Sequence, residues 1–210
     1  MKQIDILIER YPNLLPIKSD LEEACKILIS SFAAGNKLLV CGNGGSASDS
    51  DHITGELMKG FEKKRLISDD LFNKLAEINK EDANHLKDVL QQGLPTIPLT
   101  EHSGLMTAFA NDSSADAVFA NQVLGYGKKG DVLFAISTSG NSKNVVLACE
   151  VAKALGVKII GLTGEKDSKI NKLADVCIKA PSTRTYQIQE LHLPIYHTIC
   201  LEIEDYFFSI

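Results

Sequence analysis

Residues 131–142 read DVLFAISTSGNS, and this stretch decides the fold: an unbroken apolar run, Val132 to Ile136, passes directly into a turn rich in hydroxyls. So short a run, bounded by Gly130 on one side and a Ser/Gly turn on the other, reads as a strand over 131–137 that is buried on both faces. Beyond the turn, Asn141 to Leu155 spaces its apolar residues at helical intervals and stops at Gly156, a residue suited to ending a helix. Working outward, the pattern recurs. Helical Ile17 to Ala34, closed by Gly35, precedes a β-rich run at Lys37 to Cys41, and further such runs lie at Thr96 to Leu99, Val157 to Leu162 and Asp175 to Ala180. Strands alternating with helices predict an α/β three-layer sandwich, a parallel five-stranded sheet flanked by helices in the flavodoxin-like manner. The length of 210 residues suits one domain over 1–210.

Two segments depart from this alternation. Lys63 to Gln92 is polar and charged, with weak helical periodicity through Leu71, Leu75, Ile78, Leu86 and Leu90, and reads as an inserted segment of one or two exposed helices. Gln187 to Phe207 is apolar on more than one face, as a helix buried in a core or an oligomer interface would be.

A formal net charge of -5 supplies no global basic field, so neither nucleic acid nor an anionic membrane surface is an expected partner. An anionic ligand would need local recognition instead. No apolar run approaches the roughly 20 residues that cross a bilayer. Cys25, Cys41, Cys149, Cys177 and Cys200 are odd in number and form no CxxC pair, so they read as reduced thiols in a cytoplasmic protein.

Two turns at strand ends carry chemistry. The first, Gly42-Asn43-Gly44-Gly45-Ser46-Ala47-Ser48, combines glycines that let a ligand approach the backbone with a helix start whose N–H groups face an anion. Gly42, Gly44 and Ala47 also fit a dinucleotide pattern. The second strand with an acidic end that such a pattern requires is missing, so no nucleotide cofactor is expected. A tight turn without a ligand is the plainer alternative. In the second turn, Ser137, Thr138, Ser139 and Ser142 place four hydroxyls at a helix N-terminus, more than a cap needs, and suit a phosphate. Thr163 and Gly164, after the next strand, read as a plain loop on the same edge of the sheet.

Together CGNGGS (41–46), HITGEL (52–57), AISTSGNSKNV (135–145) and IQELHLPIYH (188–197) resemble the phosphoheptose isomerase family of the sugar-isomerase (SIS) fold, over roughly Ile17 to Phe207 apart from the insertion. The resemblance implies interconversion of sedoheptulose 7-phosphate and its aldose. It implies sugar-phosphate contacts at Asn43, Gly44, Gly45, Asn111, Asp112, Ser137, Thr138, Ser139, Ser142 and Gln189, and catalysis by Glu56 and His197. It further implies zinc held by His52, Glu56, Gln189 and His197, and a homotetramer with sites built between subunits. An isomerase of another sugar phosphate and a non-catalytic SIS-fold binding protein are the alternatives.

The residues alone support part of this. His52 and Glu56, four apart on a helix, share a face, as a metal pair or as a solvated ion pair. In a straight helix Glu190 would lie about 20° from His197 and Gln189 about 80° away, but Pro194 between them disturbs that geometry. The resemblance selects Gln189. His192 reads as a satisfied structural histidine.

Overall fold

The computed structural model describes residues 1–208. In chain order it runs α1 (Lys2–Arg10), α2 (Lys18–Ala33), β1 (Leu38–Cys41) and α3 (Gly45–Met58); then α4 (Asp69–Ile78), α5 (Lys80–Val89), β2 (Thr96–Pro98), α6 (Ser103–Phe109) and α7 (Val118–Tyr126). It closes with β3 (Val132–Ile136), α8 (Lys143–Leu155), β4 (Lys158–Gly164), α9 (Lys169–Leu173), β5 (Val176–Ala180) and α10 (Thr185–Phe207). All five strands are parallel, in the order β2-β1-β3-β4-β5, with Leu38 opposite Val132 and Val132 opposite Lys158.

Strand periodicity splits the core in two. Leu38, Val40, Val132, Phe134 and Ile136 face a cluster completed by residues of α1, α2 and α10, whereas Leu39, Cys41, Leu133 and Ala135 face one completed by α7 and α8. This is the three-layer sandwich expected from the sequence. Because β1 leads outward to β2 while β3 leads the other way to β4 and β5, the chain reverses direction between β1 and β3. At such a switch point the carboxyl ends of two neighbouring strands open a crevice. The glycine-rich turn leaves β1 and the hydroxyl-rich turn leaves β3, so both border it.

Several boundaries differ from the sequence reading. Thr163 and Gly164 are strand, not loop, because their pairing with Lys179 and Ala180 of β5 extends β4. The first helix, short but amphipathic with Ile4 and Leu7 buried, and the 103–126 region, where a π-helical turn (Ala110–Ser114) and a 3-10 turn (Ala115–Ala117) join α6 to α7, emerge only in the structure. α10 continues unbroken through Pro194, whose carbonyl accepts the Thr198 hydroxyl at 2.8 Å. Its apolar residues Ile188, Ile195, Ile199 and Ile203 are buried within the chain itself.

The 63–92 segment does form two helices, capped by Ser68 and Asn79. It is not uniformly exposed: Arg65, Ile67 and Ala83 are buried, and Arg65 is among the largest fully buried side chains. A charged group tolerates that setting only because every part of it is paired. No helix among the described residues is long and apolar enough to cross a membrane, and all five cysteines are free.

Candidate functional site

The two turns at the switch point line one cavity of about 280 Å³. Asn43, Gly44 and Gly45 contribute from the first turn, Ser137, Thr138 and Ser142 from the second, and Gln189 and Thr185 from the start of α10. Gly44 has φ +57, a left-handed conformation that favours glycine. A Cβ at Gly45 would sit 2.5 Å from Gln189 Nε2, so the amide end of Gln189 lies directly over this glycine and would have to swing aside for any larger residue. Ser137 Oγ lies 3.0 Å from Ser142 Oγ and 3.5 Å from Ser139 Oγ. These hydroxyls bond mainly to one another and stand at the start of α8, where a bound anion would find donors and the positive end of the helix dipole.

Asn43 and Asn144 exchange two amide hydrogen bonds of 2.9 Å each and so tie the two turns together. Asn144 and Thr185 were not singled out from the sequence; Asn144 lies within the matched SKN stretch, and no local signal marks Thr185. Ser139 is exposed and lines a neighbouring cavity of about 240 Å³ with Asn141, Gly164 and Ser182. Asn111 and Asp112 are not brought to either cavity: they are exposed in the turn after α6, where the Asn111 amide donates to Asp112 at 2.8 Å.

Further along the same two helices lies a second cluster. Gly45 approaches Gln189, and His52 meets Tyr196 and His197, so α3 and α10 run side by side in the same direction. The His52 and His197 rings are 4.9 Å apart, edge to face. His52 Nε2 is 3.2 Å from Glu56 Oε1, while Lys59 Nζ reaches Glu56 Oε2 at 3.0 Å. His197 Nε2 is buried without a partner. Burial, and then the neighbouring His52, push the His197 pKa below the usual imidazole value against the opposing pull of Glu56. The ring is therefore neutral at pH 7.

The four residues named for zinc are not gathered. Among the described residues no group of three or more His, Cys, Asp or Glu side chains is arranged to hold a metal ion. Gln189 stands at the first cavity, eight residues and thus about 12 Å along a continuous helix from His197. Glu190, the straight-helix alternative, is exposed. His52, Glu56 and His197 are of residue types that zinc takes, and one imidazole nitrogen, His197 Nε2, is buried and orphaned, but the three meet only pairwise through His52 and are not disposed around one point. His192 is only half satisfied, its Nε2 3.3 Å from the Thr163 carbonyl and its Nδ1 unpaired.

Comparison with known proteins adds family information. Residues 86–201 match the SIS domain family, and residues 15–92 match a second SIS domain family. Over 189 residues the chain is 40% identical to the phosphoheptose isomerase of Aliarcobacter butzleri, covering 90% of this chain and 86% of that one. Among solved structures, the phosphoheptose isomerase from Francisella tularensis is 30% identical with a TM-score of 0.72, covering 97% of this chain and 93% of the other. The one from Neisseria gonorrhoeae is 29% identical with a TM-score of 0.69, covering 96% and 98%.

Proposed function

The chain belongs to the phosphoheptose isomerase family of SIS-domain proteins, and from that membership we propose that it interconverts sedoheptulose 7-phosphate and D-glycero-D-manno-heptose 7-phosphate, a step of heptose biosynthesis. It is an aldose–ketose isomerase. The observation that supports the substrate best is the pairing of a hydroxyl-lined cavity with a Glu/His cluster along two parallel helices. The Gly45–Gln189 and His52–His197 levels are separated by about two helical turns, roughly 11 Å. An extended seven-carbon sugar phosphate spans about 9–10 Å from its C1–C2 bond to phosphorus, and a five-carbon one about 2.5 Å less.

In this reading Ser137, Thr138, Ser139 and Ser142 hold the phosphate at the start of α8, while Asn43, Gly44, Gly45 and Gln189 shape the wall beside it. Glu56 takes a proton from carbon 1 of the ketose, leaving an enediol, and returns it to carbon 2. His197 serves the two oxygens, giving a proton to one and relieving the other. Zinc held by His52, Glu56 and His197 would polarise the substrate carbonyl. Asn111 and Asp112, exposed and outside the cavity lining in one chain, reach substrate across a subunit boundary of a homotetramer. The 63–92 helices are an addition to a single SIS domain, and the five free thiols suit a cytoplasmic setting.

Incubation with five-, six- and seven-carbon ketose phosphates, following aldose formation by NMR, tests this. Turnover should be fastest with the seven-carbon substrate; preference for a shorter one would assign the enzyme to another sugar phosphate. Sedimentation showing a monomer at all concentrations would exclude the shared site.

A further inference from the structure

Lys59 has no part in the mechanism above, yet its ammonium touches the proposed base. Glu56, with its side chain 12% exposed, stands in the last turn of α3, and its two carboxylate oxygens are engaged differently: Oε2 accepts from Lys59 Nζ at 3.0 Å, whereas Oε1 lies 3.2 Å from His52 Nε2. Lys59 can reach back because the helix has ended. It caps α3 in an extended conformation, φ -133 and ψ 174. In a continuing helix the N–H groups of Gly60 and Phe61 would donate to the carbonyls of Glu56 and Leu57. Here both donors and both carbonyls are taken by other partners. Gly60 N donates to Gln91 Oε1 at 2.9 Å and Phe61 N to Glu204 Oε1 at 2.8 Å, while the two carbonyls accept from Arg65, and that of Leu57 also from Leu94 N. The crossing chains are close enough to need glycine: a Cβ at Gly60 would collide with the Lys63 carbonyl, and one at Gly93 would sit 2.7 Å from the Met58 carbonyl oxygen. Arg65 and Gln91 stand at the two ends of the inserted segment, so the insertion is what ends α3 where it does.

We propose that Lys59 is a positioning residue of the isomerase and that the ends of the insertion set it in place: its ammonium holds Glu56 by Oε2 and leaves Oε1 to take the carbon-bound proton. A glutamate carboxylate otherwise turns broadly about its last torsion, so a fixed donor on one oxygen narrows the directions open to the other. The ammonium also makes the carboxylate less ready to accept a proton. Lys59 is 57% exposed, however, so water screens that field, whereas the direction of the hydrogen bond is not screened. Alignment therefore outweighs the loss, since displacing a reacting atom by about 1 Å can cost about 100-fold in rate. The insertion thereby acts on the reaction through the helix end that it holds.

This inference rests on Glu56 being the base, but its first test does not. Nitrogen-15 relaxation of the lysine ammoniums, measured without substrate, should show Lys59 restrained relative to the exposed Lys64 and released in Glu56→Gln. Equal mobility of the two lysines in the parent would overturn the proposal. In turnover, Lys59→Met should lower kcat about 10-fold or more with KM changed less than about twofold, and exchange of the carbon 1 proton should slow by the same factor. Lys59→Arg, which still donates to the carboxylate, should recover most of kcat. Gln91→Ala, which frees the Gly60 N–H, should lower kcat in the same sense by about 3-fold. Unaltered kcat in Lys59→Met, a rise in KM alone, or a loss of kcat matched by loss of bound zinc would each overturn the proposal, and unaltered kcat in Gln91→Ala would remove the insertion from it. Failure of the parent to isomerise sedoheptulose 7-phosphate would instead overturn the functional reading and leave the restrained ammonium standing.

Discussion

Arg65 and Glu204 form a fully buried ion pair, Nε to Oε1 at 2.9 Å with side chains 0% and 1% exposed, that joins the chain after α3 to the end of α10. The same guanidinium donates to the carbonyls of Leu57 at 2.7 Å and Glu56 at 3.0 Å, capping the helix that carries the proposed base. Glu204 in turn accepts from the N–H groups of Phe61, Glu62 and Lys63. Burial would raise the Glu204 pKa, but the backbone donors of Glu62 and Phe61 and the Arg65 charge outweigh it and hold the carboxyl below its usual range.

Arg65→Met should therefore destabilise the protein by about 3–5 kcal/mol, since it strands a buried carboxylate and two carbonyls. Urea unfolding measures this. A loss under about 1 kcal/mol would mean that water replaces the guanidinium without cost.

Glu56→Gln should lower turnover by about 10²–10⁴-fold while substrate still binds, because the amide keeps the shape of the carboxylate but cannot take a carbon-bound proton. Exchange of the carbon 1 proton with solvent isolates that step. Exchange at the parent rate would remove Glu56 from the role of base. His197→Asn should also suppress turnover, and zinc content measured in both variants would show whether either residue acts through a metal.

Replacing Ser137 and Ser142 together by Ala should weaken substrate binding about 10- to 100-fold, as two donors to phosphate are lost at roughly 1 kcal/mol or more each. Melting should change little, because the two hydroxyls bond chiefly to each other. Substrate titration and thermal melting separate the two effects, and unchanged affinity would place the phosphate elsewhere.

Burial lowers the His192 pKa from 6.5 to about 4, while the Thr163 carbonyl opposes the shift only weakly. Above pH 6.5 the ring is neutral in both folded and unfolded chains. As pH falls below 6.5 the unfolded chain takes up the proton and the fold does not, so stability declines until about pH 4, by roughly 3 kcal/mol in all. His192→Leu should lack this part of the acid limb. Urea midpoints at pH 7.5 and 4.5 would show it, and equal losses in parent and variant would assign the acid sensitivity to other groups.

The strands, the glycine-rich and hydroxyl-rich turns at their ends and the helices on either side were legible in the sequence because each depends on local chemistry. An apolar run as short as Val132 to Ile136, bounded by Gly130 and a Ser/Gly turn, reads as a buried strand, and glycines or hydroxyls at its end act through their own backbone and side-chain geometry. His52 and Glu56 could be placed on one helical face for the same reason. Tertiary structure alone decided the rest. That Gln189 faces the cavity and Glu190 solvent depends on how α10 is rotated against α3, a matter of packing between segments more than a hundred residues apart. Arg65, sitting in a charged stretch that reads as surface, is buried because its partners Glu204, Leu57 and Glu56 arrive from elsewhere. Tyr196 carries no motif, and only the meeting of two helices sets its hydroxyl 3.0 Å from His52 Nδ1.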